Sequence, residues 1–204
     1  MDKKNIVRNV IFALLGIVVM GYGIGYISKL NVGADPFTGF ENVIKNTTGL
    51  SLGTVAALLN AIMLVAGYLL SKKNVGIATV LFIFVSKWPI DFGYNHCYVS
   101  DNFYINLLLC VFALFLIGLG AAFFIVSNLG ANSYDSIILG ISDRINKGDK
   151  FVIIKYIADG MFLIIDLLFK GPIGIGTILS FLLIGPFVSI SKKALIKIFH
   201  LEVA

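Results

Sequence analysis

The sequence predicts an all-α integral membrane protein: six transmembrane helices in two inverted three-helix repeats, each with a short elbow helix after its first span. The 204 residues are 58% hydrophobic and 13% charged, with a mean hydropathy of +0.96. A soluble domain is closer to half apolar and a quarter charged. Several apolar runs have about 18–20 residues, enough to cross a hydrocarbon core of roughly 30 Å. A glycine-rich segment with a polar turn occurs twice, which indicates the repeats.

The repeated segment divides one membrane domain into a first half, residues 1–102, and a second half, residues 103–204. We call the polar turns the first elbow (residues 31–35) and the second elbow (residues 128–132). The matching residues are Gly21 and Gly118, Gly23 and Gly120, Asn31 and Asn128, Gly33 and Gly130, Ala34 and Ala131, and Phe37 and Tyr134. Farther along, Asn60 falls against Asp159, Gly-Ile-Ala-Thr at 76–79 against Gly-Ile-Gly-Thr at 174–177, and Pro89 against Pro186.

The first apolar run, residues 10–27, follows a charged start like that of a signal peptide. We interpret it as a span because it is longer than a typical signal core, has no clear cleavage site, and has a copy in mid-chain. The other spans are predicted at 52–70, 75–90, 103–126, 151–169 and 173–190. Residues 91–102 are predicted to form a polar loop, and a basic C-terminal tail is predicted to begin at Ser191.

A short amphipathic helix is predicted after each elbow. In the first half, Asp35 suits the N-cap and Pro36 the first helical position, and the helix is expected to end near Gly49. In the second half, the helix is expected to run from Asn132 to about Lys147-Gly148. Both helices are too short to cross a bilayer.

The lysine and arginine residues predict the orientation. The positive-inside rule places Lys3, Lys4 and Arg8 in the cytoplasm, and six crossings place both termini there. Residues 91–102 contain no lysine or arginine and are expected outside, whereas Lys29, Lys45, Lys87 and Lys170 argue against this orientation. With three spans in each repeat, the two halves would insert oppositely, an arrangement that many transporters use around a midplane site.

The polar residues of the elbows and spans are the candidate binding groups for a small-molecule solute. They are Asn31, Asp35, Asn60, Asn128, Asn132, Asp135 and Asp159. A carboxylate at the centre of a spanning helix is unfavourable by about 2.5–3.5 kcal/mol, so it usually faces a cavity or a partner. Two structural roles are equally compatible with the pattern. The elbows could be interfacial helix caps, and Asp159 could form an ion pair with Lys155, one turn earlier on the same helix face.

Other functional classes find little support in the sequence. The net charge of +5 lacks the clustered basic face that nucleic-acid binding needs. His96 and Cys97 have no further ligands at metal spacing, so no metal is expected, and no cofactor motif or ATP-binding loop is present. Without a nucleophile and base pair, we do not expect an enzyme. A non-transporting membrane partner and the capture subunit of a vitamin transporter remain compatible with the sequence, which does not determine the oligomeric state.

Several motifs resemble the YczE/YitT-type family of bacterial membrane proteins. They are Asn-Val-Gly-Ala-Asp-Pro-Phe at 31–37, Thr-Gly-Leu-Ser-Leu-Gly-Thr at 48–54, Gly-Ile-Gly-Thr at 174–177 and Leu-Ile-Gly-Pro-Phe at 183–187. Family members commonly have Trp-Asp after the elbow proline. Here Phe37-Thr38 stands in that place, whereas the second elbow keeps an aromatic residue and aspartate as Tyr134-Asp135. The resemblance implies a multi-span inner-membrane protein with a suggested transporter role, and no particular substrate or catalytic residue.

Overall fold

The computed structural model describes residues 3–145 and 151–201, with side chains described at 6–145 and 153–201, and this part of the chain is helical without strands. The helices are α1 (Lys3–Leu30), α2 (Pro36–Thr48), α3 (Leu52–Leu70), α4 (Ile77–Val85), α5 (Lys87–His96), α6 (Phe103–Ser127), α7 (Ser133–Arg144), α8 (Phe151–Leu168) and α9 (Ile175–Phe199). A 3-10 turn, Lys72–Asn74, joins α3 to α4.

Helices α1, α3, α6 and α9 are long and apolar enough to cross a membrane. Helices α4 and α5 meet at a bend of 42° and together could form a fifth span. Helix α8 has 18 residues and carries three charged side chains, Lys155, Asp159 and Asp166. The chain is therefore an all-helical membrane protein, and a sixth crossing by α8 stays a prediction.

The predicted polar loop at 91–102 is wrong in its first half, because α5 continues to His96. Pro89 is the third residue of α5, where its missing N–H would have no helical partner in any case. The Asp91 carboxylate finds its hydrogen-bond partners in a segment far away in the sequence. Its carboxylate accepts hydrogen bonds from the Ser51 hydroxyl and the Gly53 N–H, both at 2.7 Å, and so caps the start of α3.

One further helix end differs from the predicted one. Helix α9 continues to Phe199, beyond the expected end of its span at residue 190, so the basic lysines lie on the same helix. Helix α7 ends at Arg144, and its predicted end at Lys147-Gly148 lies outside the described residues.

Helices α1 and α6 form the centre of the fold and approach closely at glycines. A Cβ atom at Gly16 would lie 2.7 Å from the Gly120 carbonyl oxygen, and one at Gly23 would lie 2.9 Å from the Ala113 carbonyl oxygen. Small residues allow such backbone contact between membrane helices, where lipid removes most of the hydrophobic driving force. The fully buried Ile17 of α1 belongs to the apolar core that includes residues of α6.

Each elbow helix packs mainly on a helix of the opposite half. Helix α2 packs mainly on α8, which belongs to the second half, and α7 packs mainly on α3, which belongs to the first half. At the far end of α7, Asp143 forms an ion pair with Lys73 at 3.0 Å and accepts a hydrogen bond from Asn74 at 3.1 Å. The hydrogen bonds from Lys73 and Asn74 hold the pKa of Asp143 below its usual value.

Candidate functional site

The first elbow ends α1 and starts α2 within five residues. Asn31 adopts a left-handed conformation with φ of 52°, and Gly33 has φ of 106°. The Asp35 carboxylate then accepts a hydrogen bond from the Thr38 N–H at 3.1 Å, and Pro36 begins the helix. These residues perform the capping roles that their types predict.

The second elbow repeats this backbone course. Asn128 has φ of 50° and Gly130 has φ of 116°, at the positions that match Asn31 and Gly33. The Asn132 side chain caps α7 and accepts a hydrogen bond from the Asp135 N–H at 2.7 Å. The two elbows are therefore built alike, with an amide cap in one and a carboxylate cap in the other.

Each elbow is held by the start of a helix from the other half. The Ala34 N–H donates to the Pro172 carbonyl oxygen at 3.2 Å, and the Gly176 N–H donates to the Val32 carbonyl oxygen at 2.8 Å. A Cβ atom at Gly33 would lie 2.7 Å from the backbone nitrogen of Gly174. The first elbow consequently fits only because glycine lets two backbones meet.

The second elbow makes the corresponding contacts with the start of α4. The Ala131 N–H donates to the Asn74 carbonyl oxygen at 3.0 Å, and the Ala78 N–H donates to the Leu129 carbonyl oxygen at 3.0 Å. The Thr79 hydroxyl donates to the Ala131 carbonyl oxygen at 2.6 Å. Buried backbone N–H and carbonyl groups outside regular helices need partners, and these bonds supply them.

The two elbow helices meet through their first aromatic residues. The rings of Phe37 and Tyr134 stack with centroids 5.1 Å apart and an interplanar angle of 7°. Phe162 on α8 meets both rings edge-on, at 5.4 and 5.8 Å. The matching aromatic positions of the two halves thus contact each other directly, and α8 packs against both of them through Phe162.

A polar network extends from this aromatic cluster along α7 and α8. The Tyr134 hydroxyl donates to Asp159 at 2.5 Å. The Lys155 ammonium lies 3.3 Å from Asp135 and 4.4 Å from the centroid of the Tyr134 ring. Asn132 donates from its amide to the other Asp135 oxygen at 2.7 Å. Burial, followed by the bond to Asp159, raises the pKa of Tyr134, so its hydroxyl stays a proton donor.

The structure identifies the carboxylate that Lys155 binds. Lys155 pairs with Asp135 on α7 and not with Asp159, although Asp159 is one turn away on its own helix. The side chains of Lys155 and Asp159 therefore both face α7, and each contacts a residue in the first turn of α7. Asp35 lies within electrostatic range of Lys155 and Asp159 as well.

The structure brings together three of the seven predicted site residues, Asn132, Asp135 and Asp159. Asp35 lies near them at the start of α2. Asn60 is buried on α3 and donates to the Ala56 carbonyl oxygen at 2.9 Å. Asn31 and Asn128 occupy exposed turn positions, so the structure assigns them a backbone role. A place in a solute site stays a prediction for all seven.

A cleft of about 240 Å³ opens beside the second elbow. Asn132 and Asp135 line it together with apolar side chains of α1, α6 and α7, among them Met20 and Phe124. Two residues of the polar network, Asn132 and Asp135, thus border a cleft large enough for a small molecule. Among the described residues, no three His, Cys, Asp or Glu side chains are grouped so that they could hold a metal ion.

The sequence prediction did not include Glu41 among the candidate site residues. Glu41 on α2 is 2% exposed, and its Oε2 atom has no hydrogen-bond partner within the described part of the chain. A signal was present, because Glu41 follows Phe37 by one turn and so lies on the apolar stripe of its helix. A carboxylate on such a stripe is a candidate for burial, and hence for a functional role.

Large apolar side chains cover the outer surface of the helices. Leu69, Leu108 and Leu168 are more than two-thirds exposed, at 71, 72 and 73%. Exposed apolar surface on this scale is unsuited to water and fits a hydrocarbon environment. The chain therefore associates with a lipid bilayer.

Comparisons with known proteins agree with this membrane character. A family of unknown function, DUF6198, matches residues 7–193. The uncharacterized membrane protein YczE of Bacillus subtilis strain 168 is 26% identical over 210 residues, which cover 99% of this chain and 94% of YczE. The uncharacterized protein YyaS of the same strain is 28% identical over 171 residues, which cover 81% of this chain and 83% of YyaS.

A third relative is an uncharacterized protein of Haemophilus influenzae strain Rd. It is 23% identical over 195 residues, which cover 95% of this chain and 88% of the relative. No solved structure matches the chain significantly. The family match covers most of the sequence, and the likeness to YczE confirms the resemblance seen in the elbow motifs. The chain therefore belongs to the DUF6198 family of bacterial proteins, among the relatives of the membrane protein YczE.

Proposed function

We propose that this protein binds a small solute and moves it across the bacterial membrane through the polar site between its two elbows. The observation that carries the proposal is the network of Asp135, Lys155, Asp159 and Tyr134 where the elbow helices meet. Charged groups among membrane helices are unfavourable by several kcal/mol and usually mark solute or ion pathways. The cleft beside Asp135 gives such a solute access to the network.

We propose further that the chain crosses the membrane six times, as two inverted halves with both termini in the cytoplasm. The matching conformations of the two elbows support this arrangement, as does the packing of each elbow on the other half. An inverted repeat places such elbows at the pseudo-twofold axis, where alternating access needs the site to be. The stack of Phe37 on Tyr134 fits that position.

The proposed orientation predicts which surface residues face the cytoplasm. In a background without Cys97 and Cys110, Lys73→Cys should react with a membrane-impermeant maleimide only after cells are opened. Tyr98→Cys should react on intact cells, because it lies at the other end of α4 and α5. Both side chains are exposed, so access within the fold does not limit the reaction. Reaction of both residues from one side would contradict the topology.

Transport itself can be tested by neutralising the site. Uptake into proteoliposomes would be measured for radiolabelled small amines, amino acids, organic acids and sugars. We expect Asp159→Asn and Asp35→Asn each to lower the flux of the transported solute about tenfold or more, the effect of losing one charge-assisted hydrogen bond. Asparagine caps helices as well as aspartate does, so Asp35→Asn should leave the first elbow folded.

The control variant is Asp143→Asn, which removes an ion pair outside the site. It should leave the flux unchanged. If Asp159→Asn and Asp35→Asn both leave every measurable flux at the level of the unmodified protein, the solute site does not exist.

A second candidate function is that of a non-transporting membrane partner, for example an assembly subunit. One observation favours it, since both Asp135 oxygens are already occupied within the chain, by Asn132 and Lys155. A structural network of this kind would hold the elbows without passing a solute. Stable co-purification with a second membrane protein, together with unchanged flux in all variants, would support this function.

A further inference from the structure

Glu41 is a buried carboxyl group for which no side chain in the described part of the chain supplies a counter-charge. It lies in the middle of α2, is 2% exposed, and has no hydrogen-bond partner for Oε2 among the described residues. Burying an ionised carboxylate without a partner is so costly that the group normally takes up a proton instead. Glu41 therefore differs from Asp135 and Asp159, whose carboxylates both accept hydrogen bonds from side chains.

The lysine side chains described on α2 and on the helices around it are engaged elsewhere. Helix α2 packs against α1, α3 and α8. The ammonium groups of Lys29 and Lys45 lie over the Tyr94 ring, at 5.0 and 4.5 Å from its centroid, and Lys155 is paired with Asp135. Among the described side chains, the ionisable groups on these neighbouring elements are Asp35 in the first elbow, Arg8, Tyr22, Tyr26 and Lys29 on α1, Tyr68 on α3, and Lys155, Tyr156, Asp159 and Asp166 on α8.

Asp35 is the charged group that acts on Glu41, and it has the same sign. Burial raises the pKa of Glu41 well above its usual value, and the Asp35 carboxylate raises it further. Asp166 is also 2% exposed, but it lies on another side of α2, against Gly39. Positions 39 and 41 are about 200° apart around a helix, so the two carboxyl groups belong to separate sites.

The architecture does not require a carboxyl group at this position. The matching residue of the second elbow helix is Ile138, which is 1% exposed on α7. Both residues stand six positions after their N-caps, Asp35 and Asn132. An isoleucine thus fills the equivalent place in the other half, and the acid at position 41 contributes chemistry that packing alone does not need.

We propose that Glu41 is the proton-binding site of this carrier: it holds a proton while α2 is packed as in this structure and releases it to water when α2 moves. The inference rests on the proposed function, because it names the proton as the coupling ion for solute movement. The step forms one O–H bond on the Glu41 carboxylate with a proton from water and later breaks the same bond. No other reactant is required.

Infrared difference spectroscopy tests the site without knowledge of the solute. Asp166 is also buried and has an oxygen without a hydrogen-bond partner among the described residues, so every protein compared carries Asp166→Asn to remove its contribution. In this background the protein in lipid nanodiscs at pH 7 should show the carbonyl band of a protonated carboxylic acid, and Glu41→Gln should lack it. Because the pKa is raised, the group is neutral below the raised value, and the band should disappear as the pH increases through it. The band should also shift in D2O, because a coupling proton exchanges with solvent.

Asp143→Asn is the control and should leave the band unchanged, since Asp143 is paired with Lys73. Glu41→Ile copies the matching residue of α7 and guards against a folding defect of the glutamine variant. Its melting temperature should be no lower than that of the unmodified protein, since an unpaired buried carboxyl is replaced by an apolar side chain. The proposal is overturned if Glu41→Gln and Glu41→Ile both keep the band, or if the band neither exchanges in D2O nor changes with pH.

A flux measurement separates this inference from the proposed function. In proteoliposomes with an imposed pH gradient, Glu41→Gln should bind the transported solute but lose at least tenfold in gradient-driven accumulation. If the infrared band behaves as expected and no solute is moved, the proposed function fails although Glu41 binds a proton. If solute moves equally with and without Glu41, the coupling role is overturned and the transport function stands.

Discussion

Gly33→Ala is expected to destabilise the protein by about 2–5 kcal/mol, well beyond the effect of Gly49→Ala. Both glycines have positive φ, 106° at Gly33 and 73° at Gly49, so each alanine suffers left-handed backbone strain of roughly 1–2 kcal/mol. The space available for the added Cβ atom differs between the two glycines. A Cβ atom at Gly33 would lie 2.7 Å from the Gly174 nitrogen and 2.8 Å from the Thr177 nitrogen, whereas Gly49 has no atom within 4 Å.

The additional loss of stability at Gly33 arises because the first elbow and the start of α9 are hydrogen-bonded to each other and cannot move apart freely. The Ala34 and Gly176 N–H groups are bonded across the same contact, so separating the chains strains both bonds. Overpacking of a close contact typically costs about 1–3 kcal/mol in addition to the backbone strain. The difference between the two alanine variants therefore measures how strongly the first elbow is held by the second half.

The chain contains its own reporter for this measurement. Cys110 is fully buried between the central helices, so a thiol-reactive fluorescent dye should label it only on unfolding. With Cys97→Ala as the background, heating in detergent micelles would give the melting temperature of each variant. Equal melting temperatures for Gly33→Ala and Gly49→Ala would show that the elbow contact adds nothing to stability.

The sequence predicted the features that local chemistry determines. The caps at Asp35 and Asn132 are each made by one side chain acting on a backbone N–H three residues away. The ends of α2 follow from Pro36 and from the left-handed Gly49. Such signals depend on a few neighbouring residues and hold whatever the rest of the chain does.

Features that depend on distant partners could not be predicted in this way. Asp91 has the sequence context of a loop residue until α3 is placed beside it, where it caps Gly53. Lys155 has two candidate carboxylates, and only the packing of α7 on α8 selects Asp135 over Asp159. The burial of Glu41 likewise depends on how the helices around α2 assemble. Side-chain partners of this kind are fixed by tertiary contacts, which a single sequence does not specify.

Tyr134→Phe is expected to destabilise the protein by about 1–3 kcal/mol, the penalty for leaving a buried polar group without its partner. The substitution keeps the ring that stacks on Phe37 and removes only the hydroxyl that donates to Asp159. Asp159 is 8% exposed, so water cannot readily replace the lost donor. Tyr156→Phe is the matched control on α8, where the side chain is 59% exposed and a small effect is expected.

A double-mutant cycle with Asp159→Ala isolates the Tyr134–Asp159 contact, because alanine removes the acceptor whereas asparagine would keep an oxygen that can accept the same hydrogen bond. Residues that share one hydrogen bond typically show a coupling energy of about 0.5–3 kcal/mol, and the dye assay on Cys110 gives the melting temperature of each variant. Substantial coupling would mean that the hydroxyl helps to hold α7 against α8, so a solute that takes Asp159 from Tyr134 would loosen the junction of the elbows. Coupling near zero would mean that the aromatic stack alone closes the site. Asp159 could then bind a solute without any effect on the helices around it.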